Sequence, residues 1–309
     1  MFNDASAIGR GQAGPDRPGL KTRLASLRWF ALPVSVLPVF IAAAVALPPE
    51  QWNVPVLLAA AVGTACLHTA GNLLNDLFDF RSGVDRDDED DVDRPGRQLV
   101  RGQMKPVHFR NQALIFLLLA LLPTGYLLWA VGPGVLIFGA AGFVGLYAYT
   151  GPPLELKYHA MGEVLIFLNF GPVLMLGAAW AQTGQLELTV GLISIPIGMG
   201  TAAILAGNNV RDREEDAEAG IRTIAHFGQA ALPARAAYLA LAAGSTLLLS
   251  VLALAGPAPG LLVLSPLLLI VLVGPLRAIL AGRRLADIDQ RTARFTSLEQ
   301  VAVLAAFLF

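Results

Sequence analysis

Residues 54–79 read VPVLLAAAVGTACLHTAGNLLNDLFD, an apolar run that ends in Asn75, Asp76 and Asp79. About 20 apolar residues suffice for a helix to cross the bilayer core. Residues 188–216, LTVGLISIPIGMGTAAILAGNNVRDREED, repeat the arrangement, with an apolar run that reaches Asn208, Asp212 and Asp216. Both stretches contain Asn-x-x-x-Asp: Asn75 with Asp79, and Asn208 with Asp212. Residues four apart share one face of a helix, so each Asn points with its Asp. Two such faces that meet gather several carboxylates, which stay ionised only if cations neutralise them. Oxygen-only ligands select hard ions, and Mg2+ is the usual ion where a phosphate is the partner. The pattern predicts a membrane protein that holds a diphosphate through magnesium.

The rest of the chain fits that setting. Of its 309 residues 55% are hydrophobic and 15% charged, where soluble domains carry about 25% charged residues. Mean hydropathy is +0.60. A net charge of −1 offers no basic field for nucleic acid. The single cysteine, Cys66, excludes a disulfide framework and a thiolate metal site. The N-terminus lacks a compact signal-peptide pattern, so the first apolar segment reads as a retained span.

Spans are predicted near 29–48, 54–75, 112–131, 134–150, 163–181, 188–208, 235–255 and 260–277. A ninth apolar stretch begins near 297 and covers only about 20 Å. It reads as a short span, a half-helix or the cut end of a longer helix. The 22 Lys and Arg residues all fall on one side of this topology, five before the first span and seven at Arg81 to Arg110. The opposite loops, 48–55, 131–134, 182–187 and 256–260, have none. By the positive-inside rule the N-terminus and both acidic clusters face the cytoplasm. The predicted fold is all-α, a polytopic membrane bundle of nine spans around a central cavity. Residues 1–28 form an N-terminal arm, and 29–309 form one transmembrane domain with polar loops at about 76–111 and 209–234. Two spans, an acidic loop and two further spans recur, which suggests a duplicated four-helix unit.

Each candidate residue has a plainer reading. Asp87 to Asp91 read as a solvated loop, and the EF-hand reading fails because its turn glycine is replaced by Asp90. Asp76, Asp79, Asp212 and Asp216 lie where spans end, and an ionised carboxylate there is usually functional. Asn75 and Asn208 add neutral oxygens; helix capping is their plainer reading. Lys157 is the lone cation of its loop and is suited to the outer oxygens of a diphosphate. Arg94, Arg97, Arg101 and Arg222 could act likewise, against the plainer reading of positive-inside anchoring. Tyr147, Tyr149, Tyr158, Phe78 and Phe80 could shelter an allylic cation or form an interfacial aromatic belt. His108, His159 and His226 show no ligand spacing.

Three stretches resemble the UbiA-type intramembrane aromatic prenyltransferases. Asn75-Asp76-Leu77-Phe78-Asp79 with Asp85 resembles that family's first Asp-rich motif. Asn208-x-x-x-Asp212-x-x-x-Asp216 resembles its second. Tyr149-Thr150-Gly151-Pro152 with Lys157-Tyr158 resembles the loop between its fourth and fifth helices. The menaquinone branch, the 1,4-dihydroxy-2-naphthoate prenyltransferases, is most similar at Asn72 to Phe80, at Gly83-Val84-Asp85, at Asn208-Asn209-x-Arg211-Asp212 and at Gly220-Ile221-Arg222-Thr223. Asp93-Arg94-Pro95 and Leu99-Val100-Arg101-Gly102 are similar instead to the 4-hydroxybenzoate branch.

The resemblance implies two Mg2+ ions held by Asn75, Asp79, Asp85, Asn208, Asp212 and Asp216, with Asp76 assisting. Lys157, Arg222, Arg94 and Arg101 would meet the diphosphate of a polyprenyl donor. Tyr149 and Tyr147 would shield the carbocation, and Asp79, Asp212 and Lys157 would carry catalysis. The acceptor would be an aromatic such as 1,4-dihydroxy-2-naphthoate, prenylated with loss of CO2, or alternatively 4-hydroxybenzoate. The expected setting is a bacterial inner membrane, with the bilayer itself as partner and no obligate protein partner. A cation-coupled transporter is the alternative of another class; its site would lie near the midplane rather than at helix ends.

Overall fold

The computed structural model describes residues 15–83, 97–218, 220–227, 232–256, 260–281, 285 and 287–309. Asp85 and Arg94 lie outside these residues. Among the described residues the chain is helical, and its only β pairing is one parallel bridge between His159 and Arg222. After a short α1 (Leu20–Ala25) come α2 (Leu32–Ala46), α3 (Val54–Ser82), α4 (Pro106–Val131) and α5 (Val135–Thr150). Next, α6 (Gly162–Leu168) continues through a π turn at Asn169–Val173 into α7 (Leu174–Thr183). The rest are α8 (Leu188–Arg211), a short α9 (Arg213–Glu218), α10 (Leu232–Ala255), α11 (Leu261–Leu280) and α12 (Ile288–Leu308). Taking α6 and α7 as one rod and setting α1 and α9 aside, nine rods are described, as predicted. Six helical stretches are long and apolar enough to cross a membrane. The leucines Leu114, Leu118, Leu121 and Leu122 on α4 are exposed on its outer face. Such a surface suits hydrocarbon as solvent, and the chain is an integral membrane protein.

The rods close into a ring. α3 packs along α4, α10 along α8, and α12 lies against both α2 and α8, so the last rod meets the first. Gly171 in the π turn and Gly198 on α8 permit a close crossing. A Cβ on Gly171 would lie 2.6 Å from the Ser194 carbonyl and 2.9 Å from the Gly198 Cα. Small residues at crossings are how membrane helices approach without a hydrophobic driving force.

Three of the boundaries that differ from the sequence expectation bear on the site and on the last rod. α3 runs to Ser82 rather than 75, capped at its start by Asn53, whose side chain accepts the Val56 N–H at 3.3 Å. Its end is Gly83 at φ 75°, a left-handed turn that suits glycine. Asp76 and Asp79 therefore lie within the helix, as Asn75 does, rather than in the loop expected from 76. The sixth rod, α8, likewise extends to Arg211. The ninth rod begins at Ile288, not near 297, and its 21 residues span about 31 Å. Its first half looks polar because its buried face carries polar residues with partners. Thr296 Oγ1 donates to the Gly200 carbonyl at 3.0 Å and Gln300 Nε2 to the Val34 carbonyl at 3.3 Å. Glu299 accepts from Ser245 Oγ at 3.0 Å and Thr246 Oγ1 at 2.6 Å. The arm's last residues also pack: Leu27 is buried against Leu73, Leu77, Leu99, Met104 and Phe109.

Candidate active site

A cavity of about 400 Å³ runs inside the ring. Its mouth is lined by Arg28, Asn72, Asn75, Asp79, Arg97, Lys157, Asn208, Asn209, Asp212, Glu215, Asp216 and Asp289. Deeper, the lining turns to Val39, Ala60, Leu127, Val135, Phe138, Leu174 and Ala178. On α3 alone it reaches from Asp79 to Ala60, nineteen residues, or about 28 Å of helix. One end is charged and the remainder is mainly apolar, with Thr64, His68, Thr124 and Asn169 also in the lining.

The two Asn-x-x-x-Asp faces do turn inward together. Asp79 is 4% exposed and is held by two groups from the loop after α5. Lys157 Nζ lies 2.6 Å from its Oδ2, and the Tyr158 hydroxyl donates to its Oδ1 at 2.6 Å. Burial would lower the Lys157 pKa, but the attraction of Asp79 and of the Tyr149 and Tyr158 oxygens outweighs it, so Lys157 stays a cation. Tyr158 is pushed up by burial and then by the Asp79 charge, which keeps it a hydrogen-bond donor. On the other face Asp212 accepts from Arg211 Nε at 2.6 Å and from a terminal guanidinium nitrogen at 2.8 Å. Arg211 also pairs with Asp289 at 3.2 Å. Asp289 stands in the first turn of α12, which hydropathy had read as loop.

Asp216 is buried at the mouth, and its pKa is pushed up to about 7. Burial is the largest cause; the Lys157 charge opposes it, while Asp212, Asp79 and Glu215 reinforce it. Carboxylates that crowd one site in this way resist joint ionisation.

The expected cluster of bare carboxylates takes another form. Among the described residues no three acidic, His or Cys side chains converge to hold a metal. Side-chain cations meet the acids instead: Lys157 at Asp79, Arg211 at Asp212 and Arg28 at Asp76. The site chemistry nonetheless suits a hard cation. The Oδ1 atoms of Asn75 and Asn208, one on each face, are buried without a hydrogen-bond partner among the described residues. Both residues line the cavity with Asp79 and Asp212. Neutral and anionic oxygens together are what such an ion takes.

Other predicted residues sit elsewhere. Asp76, expected among the metal ligands, is 1% exposed but does not line the cavity; its carboxylate is bonded to Arg28. One residue on from Asn75 is a rotation of about 100° around the helix, away from the Asn75–Asp79 face. Arg222 is exposed beside its bridge to His159, and Arg101 is not in the lining; Arg97 is the loop arginine that reaches the cavity, 3.8 Å from Glu215. Tyr149 lines the cavity with its ring centroid 5.9 Å from Lys157 Nζ. Tyr147 is 40% exposed and meets Phe78 edge-on at 6.2 Å. Two residues apart on a helix face nearly opposite ways, so only one tyrosine can serve. The sequence reading missed Arg28, His68, Asn72, Asn209, Glu215 and Asp289, all in the lining. Asn72, three residues before Asn75 and seven before Asp79, was findable by extending the same helical face upstream.

A ring of membrane helices around a cavity, charged at one mouth and mainly apolar deeper in, defines an intramembrane binding site for an amphipathic ligand. The UbiA prenyltransferase family profile matches residues 35–306, and the chain belongs to that family of enzymes. UbiA prenyltransferase domain-containing protein 1 of Gallus gallus is 33% identical over 232 residues, 72% of this chain and 67% of that protein. The same-named homolog of Drosophila melanogaster is 32% identical, and the match spans 57% of its length. The 1,4-dihydroxy-2-naphthoate octaprenyltransferase of Bacillus subtilis (strain 168) is 31% identical over 70% of this chain and 69% of its own. The fold matches a UbiA homolog from Archaeoglobus fulgidus bound to GPP and Mg2+, with a TM-score of 0.63 at 19% identity over 93% of this chain and all of that one.

Proposed function

We propose that the protein transfers a polyprenyl group from its diphosphate to an aromatic acceptor, with 1,4-dihydroxy-2-naphthoate as the acceptor and a menaquinone precursor as the product. One observation carries this reading. A single cavity, about 28 Å long along α3, joins cationic and oxygen-rich groups at one mouth to a mainly apolar interior. A prenyl diphosphate has that division of chemistry. Lys157 and Arg97 supply positive charge to its phosphate oxygens as the bond to carbon weakens. Mg2+, held by Asn75, Asp79, Asn208, Asp212 and Asp216, would neutralise the diphosphate and favour its departure; Asp85, the sixth expected ligand, lies outside the described residues. The Tyr149 ring faces the same space and stabilises positive charge on the allylic carbon. The apolar walls exclude water that would otherwise capture the cation. The Bacillus relative and the Asn72 to Phe80 stretch support the naphthoate acceptor. The confinement of all 22 Lys and Arg residues to one side supports an orientation with the site facing the cytoplasm of a bacterial inner membrane.

The test is purified protein in membranes with radiolabelled polyprenyl diphosphate and Mg2+. Dihydroxynaphthoate and 4-hydroxybenzoate are offered in parallel, each with an EDTA control. Magnesium-dependent label on the naphthoate is the expected result. Label on the benzoate alone would keep the reaction and overturn the acceptor. Label on neither would overturn the function.

A further inference from the structure

His68 lines the cavity from α3, one helical turn below Asn72. It is eleven residues before Asp79, about 16 Å along the helix. Lining residues adjacent to it in the chain or on the facing helix are Thr64, Leu67, Leu165, Ile166, Asn169 and Phe170, with the Phe170 ring edge-on at 5.1 Å. The imidazole Nδ1 lies 2.7 Å from Ser35 Oγ on α2. Ser35 Oγ is also 3.0 Å from the Leu32 carbonyl, to which it donates. A hydroxyl has one proton to give. We take the tautomer in which that proton goes to Leu32, Ser35 accepts from His68 and the ring proton sits on Nδ1. The hydrogen bond made by one ring nitrogen sets the state of the other. Nε2 therefore carries a lone pair, and it has no hydrogen-bond partner among the described residues.

A lone pair presented in a mainly apolar stretch of cavity, where Thr64 and Asn169 are the nearby polar lining residues, suits a ligand with a hydroxyl or amine proton. The diphosphate, gripped at the mouth, has no proton to offer at this depth, and the prenyl chain has no donor. We infer that His68 Nε2 accepts a hydrogen bond from a ring hydroxyl of the aromatic acceptor, and so sets both its orientation and the requirement for a hydroxylated ring. The inference rests on the proposed transfer to a hydroxyarene. A site built around a hydrogen bond rejects the analogue that cannot make it far more strongly than an apolar pocket would.

The experiment compares wild type, His68→Leu and His68→Gln with dihydroxynaphthoate and with its two mono-O-methyl ethers. His68→Leu should raise the acceptor KM about 10-fold or more and leave the prenyl diphosphate KM unchanged. His68→Gln, whose amide oxygen reaches the Nε2 position, should restore it. Wild type should discriminate against one of the two ethers, and His68→Leu should lose that discrimination. An unchanged acceptor KM in His68→Leu, equal ether discrimination in both proteins, or no rescue by glutamine would overturn the assignment. If wild type binds the prenyl diphosphate yet transfers it to no hydroxyarene, the function falls and His68's role with it. If wild type transfers and His68→Leu matches it, only the role of His68 falls.

Discussion

Lys157 Nζ sits 2.6 Å from Asp79 Oδ2 across a contact of 78 residues in sequence, joining the α5–α6 loop to the inner face of α3. Both groups are largely buried, with side chains 17% and 6% exposed. A buried charge that loses its partner is costly, about 3–5 kcal/mol, whereas loss of both charges costs far less. Lys157→Met should therefore lower the melting temperature in detergent more than Lys157→Met combined with Asp79→Asn. Additive losses would show that the pair is not coupled in the folded state. With prenyl diphosphate, Lys157→Met should raise the donor KM about 10-fold or more and leave the acceptor KM near wild type.

Asp76 and Asp79 are three residues apart and should behave differently. Asp79 lines the cavity, whereas Asp76 is engaged by Arg28 outside the lining. Asp79→Asn should reduce turnover about 100-fold or more, and Asn75→Ala should raise the Mg2+ concentration for half-maximal rate. Asp76→Asn should leave that magnesium requirement unchanged. A Mg2+ titration of the three variants decides the matter; a shifted requirement in Asp76→Asn would return Asp76 to the ligand set.

The helical period at Asn75 and Asp79, and again at Asn208 and Asp212, was enough to predict two faces meeting at one site. Hydropathy was enough to place the rods. Neither could tell that the acids are met by Lys157, Arg211 and Arg28, because those pairings depend on how rods pack. Arg28 counted in sequence only as an anchoring charge, and His68 disappeared into an apolar run. The start of α12 was illegible for a related reason. Thr292, Thr296, Glu299 and Gln300 lower its hydropathy but lie buried on one face against other rods. A polar residue whose partner is far away in sequence looks like loop until the partner is known.

Glu299 tests that last point. It is 1% exposed and accepts from Ser245 and Thr246 on α10. Glu299→Ala would leave both hydroxyls without this partner and open a space, destabilising by about 2 kcal/mol or more. Glu299→Gln retains a carbonyl oxygen for Thr246 and should lose less. Thermal denaturation in detergent distinguishes the two; a wild-type melting temperature for Glu299→Ala would mean that α12 is not fastened at this point.

Asp216 links stability to pH. Its pKa in the folded protein is pushed up to about 7, from an ordinary value of 3.8, first by burial and then by neighbouring carboxylates. A folded-state pKa above the unfolded one means that the native state holds the proton more tightly. The stabilisation is complete below the unfolded pKa and is lost as pH rises through the folded one. In EDTA, the melting temperature should fall between about pH 4 and about pH 7.5, and Asp216→Asn should flatten that slope. Added Mg2+ requires the ionised carboxylate, so it should stabilise wild type more at the higher pH than at the lower. A pH slope in EDTA unchanged by Asp216→Asn would mean that another group carries the dependence. Equal stabilisation by Mg2+ at both pH values would remove Asp216 from the cation's ligands.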